Sequence, residues 1–179
     1  LDRPGDSKEI LLRRDRIPIH SVVAAIPLND AVGYIKVVRF AQNTAQEFES
    51  AMQKLDQAGV ESVVVDLRGN GGGYLNAVVP MVESFLEQDQ LVVYTEGDHA
   101  SRRTYEARRD GPWKDWPLAV LIDESSASAS EIFAGAIQDN DRGFVVGRRS
   151  FGKGLVQEEF DVAGTGALRL TVARFYTPS

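Results

Sequence analysis

Residues 60–67 form an apolar run with Ser62-Val63-Val64-Val65 at its centre, ending in the glycine loop Arg68-Gly69-Asn70-Gly71-Gly72-Gly73. A half-exposed strand alternates polar and apolar residues, so consecutive valines read as a buried strand, the habit of parallel sheets. Helical patterns stand on either side of it. Upstream, Phe48, Ala51, Met52 and Leu55 share one helical face. The pair Thr44 and Glu47 has T-x-x-E spacing, which predicts a capping box with each side chain on a backbone N–H. Gly59 stands where such a helix stops. Downstream, residues 75–86 read as a second helix. A second buried strand, 118–123, leads into the serine- and alanine-rich segment 125–139, with Ile132, Phe133, Ala136 and Ile137 on one helical face. This alternation predicts an α/β fold with a mainly parallel sheet and packed helices.

The remaining segments fit around that frame. Residues 20–28 and 31–40 are β-rich, with Asn29-Asp30 as the turn between them and Gly33-Tyr34-Ile35-Lys36-Val37-Val38 as the stronger strand. Residues 90–95 and 144–147 read as strands, and 155–162 and 167–176 as a final strand pair across Gly164-Thr165-Gly166. The polar, arginine-rich stretch 96–116, with Gly111-Pro112, reads as a surface excursion. Residues 1–14 are charged, and Ile10-Leu11-Leu12 resembles the end of a strand.

The 179 residues suffice for one domain with a sizeable core. A net charge of -6 and a pI near 5.0 argue against a nucleic-acid or anionic-membrane surface, which would need a basic patch. The arginine doublets 13–14, 102–103, 108–109 and 148–149 read as solvated edges. The chain has no cysteine, which excludes disulfides, thiolate catalysis and cysteine metal sites. Its two histidines, His20 and His99, have no metal-ligand spacing such as H-E-x-x-H. No apolar run approaches the roughly 18 residues of a membrane span.

Two glycine motifs fail on inspection. Gly69-x-Gly71 follows a strand and precedes a helix, but Tyr74 stands where a dinucleotide loop needs its third glycine. Gly147-x-x-x-x-Gly152-Lys153 begins like a P-loop, but Gly154 replaces the Ser or Thr and a strand-like segment follows instead of a helix. The Gly71-Gly72-Gly73 run has two readings: a tight strand-to-helix turn, or a backbone presenting N–H groups to an oxyanion.

A hydrolase needs a nucleophile, a base and oxyanion donors. With cysteine absent and both histidines outside the motif-like stretches, lysine remains as the base. A lysine acts as base only when neutral, so its pKa must fall from about 10.4, which desolvation achieves. Lys153 lies among Phe151, Gly152, Gly154, Leu155 and Val156, with no acid adjacent in sequence. The candidate nucleophile lies in Ser125-Ser126-Ala127-Ser128-Ala129-Ser130-Glu131-Ile132, directly after a buried strand and at the start of a helix, whose positive end favours an oxyanion. Four serines in six residues are not separated by physics alone, since each could be a helix cap.

The segments Ser126-Ala127-Ser128-Ala129-Ser130-Glu131-Ile132, Ala136-Ile137-Gln138-Asp139 and Phe151-Gly152-Lys153-Gly154-Leu155-Val156-Gln157 resemble the active-site signature of the carboxy-terminal processing (tail-specific) protease family. Asp66-Leu67-Arg68-Gly69-Asn70-Gly71-Gly72-Gly73 resembles its oxyanion loop. Gly33-Tyr34-Ile35 and Tyr176-Thr177-Pro178-Ser179 are similar too, so the resemblance runs through nearly the whole chain in order.

The resemblance implies a crotonase/ClpP-like core over 19–179, with 1–18 as the trailing segment of a PDZ-type domain. It implies Ser128 as nucleophile, Lys153, 25 residues on, as general base, and Gln157 as the residue that orients Lys153 from the same face of a strand. It implies the Ala129 N–H as one oxyanion donor and Gly72 or Gly71 as the other, with Asp139 as a structural helper and Ser126 and Ser130 as capping or packing residues. The implied reaction is acyl transfer on a protein or peptide substrate near its C-terminus, with no metal or organic cofactor, in the periplasm or cell envelope. A binding module on the same fold is the competing class, since a retinoid-binding eye protein is built from such repeats. An acyl-CoA enzyme of crotonase architecture is a third, but it leaves the serine segment and Lys153 without a role.

Overall fold

The structure is a computed structural model that describes residues 19–98, 100–162, 164 and 166–179. The expectations for 1–18, including the strand end at 10–12, and for His99 and Thr165 lie outside the described residues. In chain order the elements are β1 (Val22–Pro27), β2 (Val32–Val37), α1 (Thr44–Gln57), β3 (Ser62–Asp66), α2 (Leu75–Glu83), β4 (Leu91–Gly97), β5 (Ala100–Glu106), β6 (Leu118–Ile122), α3 (Ala129–Asp139), β7 (Phe144–Gly147), β8 (Leu155–Val162) and β9 (Gly166–Tyr176).

Five strands form one sheet in the order β1-β2-β3-β6-β7. β2, β3, β6 and β7 are mutually parallel, and β1 joins antiparallel at the edge through a turn in which Asn29 Oδ1 accepts from the Ala31 and Val32 N–H groups. β3 is central, with Val63 and Val65 fully buried on one face and Ser62 and Val64 half-buried on the other. The helices bury their apolar faces against this sheet and one another. Phe85 lies between Phe48 and Phe133, edge-to-face with each at ring separations of 6.0 and 6.2 Å. No helix among the described residues is long and apolar enough to cross a membrane.

The other four strands form a separate antiparallel sheet in the order β5-β4-β9-β8, reached from the helices through contacts of α2 and α3 with β4. Three sequence expectations change here. The excursion at 96–116 contains a strand, β5, paired with β4 from Leu91↔Glu106 to Gly97↔Ala100. It is a charged edge strand, and both charge and edge position mask β character in a sequence. The predicted capping box of α1 does not form. Asn43 occupies the N-cap, the Thr44 hydroxyl accepts from the Ala41 N–H, and the Glu47 carboxylate accepts from Ser21 and Val22, tying the start of β1 to the helix. Finally, β8 begins at Leu155, so Lys153 precedes the strand, and a register irregularity falls between Val156 and Gln157. Strand alternation therefore does not fix Lys153 and Gln157 on one face.

Candidate active site

Two neighbouring parallel strands, β3 and β6, end side by side, and each turns into a helix. The carboxyl ends of such strands are where α/β sheets place ligands. Hydrogen bonds stitch the two turns together. Asp123, just after β6, accepts from the Gly69 N–H at 2.9 Å and the Ser125 N–H at 3.0 Å. Those contacts, led by the Gly69 N–H, hold its carboxyl below the usual range. The Ser126 hydroxyl donates to Leu67 O at 2.8 Å and the Ser130 hydroxyl to Asn70 O at 2.9 Å. The packing role expected of these two serines is visible in those bonds.

The glycine loop is anchored from below by Asp66. Its carboxylate, 1% exposed, accepts a two-pronged contact from Arg68 (Nε 3.0 Å, Nη2 2.7 Å), the Tyr34 hydroxyl at 2.7 Å and Lys36 Nζ at 3.1 Å. Burial works against the charge, but the Arg68, Tyr34 and Lys36 hydrogen bonds outweigh it and hold the carboxyl well below the usual carboxylate range. Lys36 Nζ also donates to Arg68 O. Above this anchor, the buried Asn70 spans the loop, donating to Val37 O at 3.0 Å and accepting from the Gly72 N–H at 2.9 Å. Gly72 (φ 96°) packs against the serine turn. A Cβ there would fall 2.6 Å from Ala127 O, 2.8 Å from Ser128 Cβ and 3.0 Å from Ala129 N.

The turn after β6 distinguishes its four serines. Ser126 and Ser130 are fully buried with their hydroxyls committed to backbone carbonyls, and Ser125 is exposed. Ser128 is partly exposed, sits at the N-cap of α3, and holds φ 56°, ψ −110°. This conformation is foreign to a non-glycine residue and costs about 1–3 kcal/mol. A strained residue between a buried strand and a helix N-terminus is the geometry that projects a nucleophile out of the fold. The next N–H, that of Ala129, is at the first position of α3 and has no hydrogen-bond partner among the described residues; neither has the Gly71 N–H.

The lysine loop lies against this turn. The Phe151 N–H donates to Ser126 O at 3.0 Å, and the Lys153 N–H donates to Glu131 Oε2 at 2.8 Å. Lys153 is partly buried, while Phe151 is 68% and Leu155 39% exposed, so the apolar neighbours in sequence do not enclose it. Among the described residues no hydrogen bond joins Lys153 Nζ to Ser128 or to Gln157. Gln157 is exposed on β8, paired with Thr171. The Asp139 carboxylate accepts from the Ser179 N–H at 3.2 Å.

The structure thus sets Gly72 against Ser128 and Ala129 and ties the Lys153 amide to the same turn through Glu131; no hydrogen bond joins Gln157 to Lys153 among the described residues. The sequence reading gave no role to Asn70, Asp123 or Glu131. For Glu131 a signal existed: Ser128-x-x-Glu131 has capping-box spacing. The Ser128 N–H does donate to its carboxylate at 2.8 Å.

Comparison with known proteins adds the family. The profile of Peptidase family S41 matches residues 31–179. The carboxy-terminal processing protease CtpB of Bacillus subtilis is 34% identical over 183 residues, which take in all of this chain and 38% of that protein. A carboxyl-terminal-processing protease of Synechocystis is 35% identical over 174 residues, 96% of this chain and 40% of its own length. The chain therefore spans about two fifths of the length of these relatives. Among solved structures, a photosystem II D1 C-terminal processing protease is similar with a TM-score of 0.75 at 35% identity, over 89% of this chain and 42% of that one. A Bacteroides fragilis structure reaches a TM-score of 0.75 over 90% of this chain and 47% of that one at 19% identity, a likeness of fold alone.

Proposed function

Because the chain belongs to peptidase family S41, we propose that it is the core of a serine endopeptidase that cuts protein chains near their C-termini, with Ser128 as nucleophile and Lys153 as general base. The observation that carries this reading is the backbone of Ser128. It alone of the four serines combines a strained conformation, partial exposure and an unengaged N–H immediately after it.

The proposed chemistry is acyl transfer. Neutral Lys153 takes the Ser128 hydroxyl proton as Oγ attacks the scissile carbonyl, and then passes that proton to the leaving amine. The oxyanion is met by the Ala129 N–H and an N–H of the glycine loop. The Gly71 N–H has no hydrogen-bond partner among the described residues and is one candidate donor. Gly72 packs closer to Ser128 but must first release Asn70 Oδ1. Water then gives a proton to Lys153 and attacks the acyl-enzyme, and the proton returns to Ser128. Gln157 is assigned the support of Lys153, which requires its side chain to turn toward the loop when substrate binds. The substrate class is a protein with an accessible C-terminal region. The relatives come from bacteria and chloroplasts, and the proposed site of action is the periplasm or cell envelope.

Cleavage of an unfolded protein with an apolar C-terminus tests the reading, in this chain and in a form extended by the PDZ-type domain. Cleavage that disappears in both Ser128→Ala and Lys153→Ala supports it. Cleavage surviving in Ser128→Ala rejects the nucleophile, and inactivity of both parent forms favours a binding module.

A further inference from the structure

We infer that Glu131 is a positioning residue that sets the distance between nucleophile and base. The inference rests on the Ser128–Lys153 reading above. The Glu131 carboxylate accepts four hydrogen bonds. Oε2 takes the Ser128 N–H at 2.8 Å and the Lys153 N–H at 2.8 Å. Oε1 takes the Gly152 N–H at 2.6 Å and the Ser150 hydroxyl at 2.8 Å. A single oxygen is thus shared by the amides of the two residues assigned to the chemistry. Those amides can stand no farther apart than two 2.8 Å bonds allow.

The lysine loop has little else to hold it at this end. Phe151 is 68% exposed, and Gly152, at φ 90°, has no neighbour within 4 Å of where its Cβ would be. One backbone bond, from the Phe151 N–H to Ser126 O, is the remaining tie of 151–153 to the serine turn among the described residues. Among the described residues the Glu131 carboxylate thus makes most of the hydrogen bonds that hold residues 150–153 to α3. Glu131 lies in the first turn of α3 and is itself fixed there, where a negative charge is favoured by the helix end.

The site specifically requires a carboxylate. All four partners can donate, and a carboxylate is acceptor-only with capacity for all of them. Glutamine would present one oxygen and one NH2 group. Turning the oxygen to Ser128 and Lys153 sets the NH2 against the Gly152 N–H, and the reverse sets it against the two amides that matter most. Charge-assisted bonds are also about twice as strong as neutral ones. Because misplacing a reacting group by ~1 Å can lower a rate by about 10²-fold, loosening this carboxylate should act on kcat.

The test compares Glu131→Gln, Glu131→Ala and Ser150→Ala in the intact protein. It follows kcat and KM for an unfolded protein substrate, with thermal unfolding of each variant alongside. Glu131→Gln is expected to lower kcat by about 10²-fold with KM within about twofold. Ser150→Ala, which removes one donor from the loop side, should lower kcat several-fold at unchanged melting temperature. Parental kcat in Glu131→Gln would overturn the inference, as would losses restored by assaying well below the melting temperature. Should both Glu131 variants unfold, an unaffected kcat in Ser150→Ala overturns it instead. Parental cleavage by Ser128→Ala or Lys153→Ala would instead overturn the underlying Ser–Lys assignment.

Discussion

Ser128 and Gly72 pack against each other in the site, and each holds a positive φ. Ser128 keeps φ 56° because α3, the β6 turn and the Asn70 loop fix the residues on both sides of it. Gly72 keeps φ 96° where a side chain would meet Ala127 O at 2.6 Å, a backbone atom unable to retreat without moving the serine turn. Gly72→Ala should therefore lower stability by about 1–3 kcal/mol through strain. By displacing the oxyanion loop from Ser128 it should lower kcat by at least about 10²-fold. Thermal denaturation and steady-state kinetics read the two effects separately. The choice among the serines was closed to the sequence for the same reason. Ser126, Ser128 and Ser130 have near-identical neighbours in sequence and differ in the fold by torsion angle, burial and hydroxyl partner.

At the scale of elements, the loops after β3 and β6 are held by charge as much as by packing. Asp66 contributes most directly, because its carboxyl binds Tyr34, Lys36 and Arg68 in the folded state only. Its folded pKa lies below the unfolded value of about 3.9. The stability it confers is thus fully present above about pH 4 and is lost as pH falls from there through the lower folded value. Asp66→Asn should flatten that acid limb and cost on the order of 2 kcal/mol at neutral pH, less than a wholly buried pair because Arg68 is half-exposed. Chemical denaturation between pH 2 and 7 checks both. The elements differ in how far they could be read from sequence. β3 and β6 were legible because each is built on consecutive apolar residues, Val63-Val64-Val65 and Leu118-Ala119-Val120-Leu121-Ile122. The turn Asn29-Asp30, the Gly59 stop and the β8–β9 pair carried local signals. β5 carried none, since Ser101, Arg102 and Arg103 are held in a strand by pairing with β4. Glu47 was misassigned because its acceptors' partners, Ser21 and Val22, are 26 and 25 residues away.

Across the whole molecule, the parallel sheet with its helices and the antiparallel sheet differ in burial. β3, β6 and α3 are enclosed, whereas β8 and β9 expose Phe160, Val162, Leu168 and Leu170 by 43–49%. Native-state hydrogen exchange should accordingly be slowest in β3, β6 and α3 and faster in 157–162 and 166–172, and uniform protection would contradict this partition. The site itself belongs to this scale, because the glycine loop, the serine turn and the lysine loop lie far apart in sequence and meet only in the folded chain. Reaction with a serine-directed fluorophosphonate, followed by peptide mapping, tests that convergence most directly. The account predicts a single adduct on Ser128 whose formation is abolished by Lys153→Ala and by unfolding. An adduct on Ser125, Ser126 or Ser130, or labelling of Ser128 at an undiminished rate without Lys153, would contradict it.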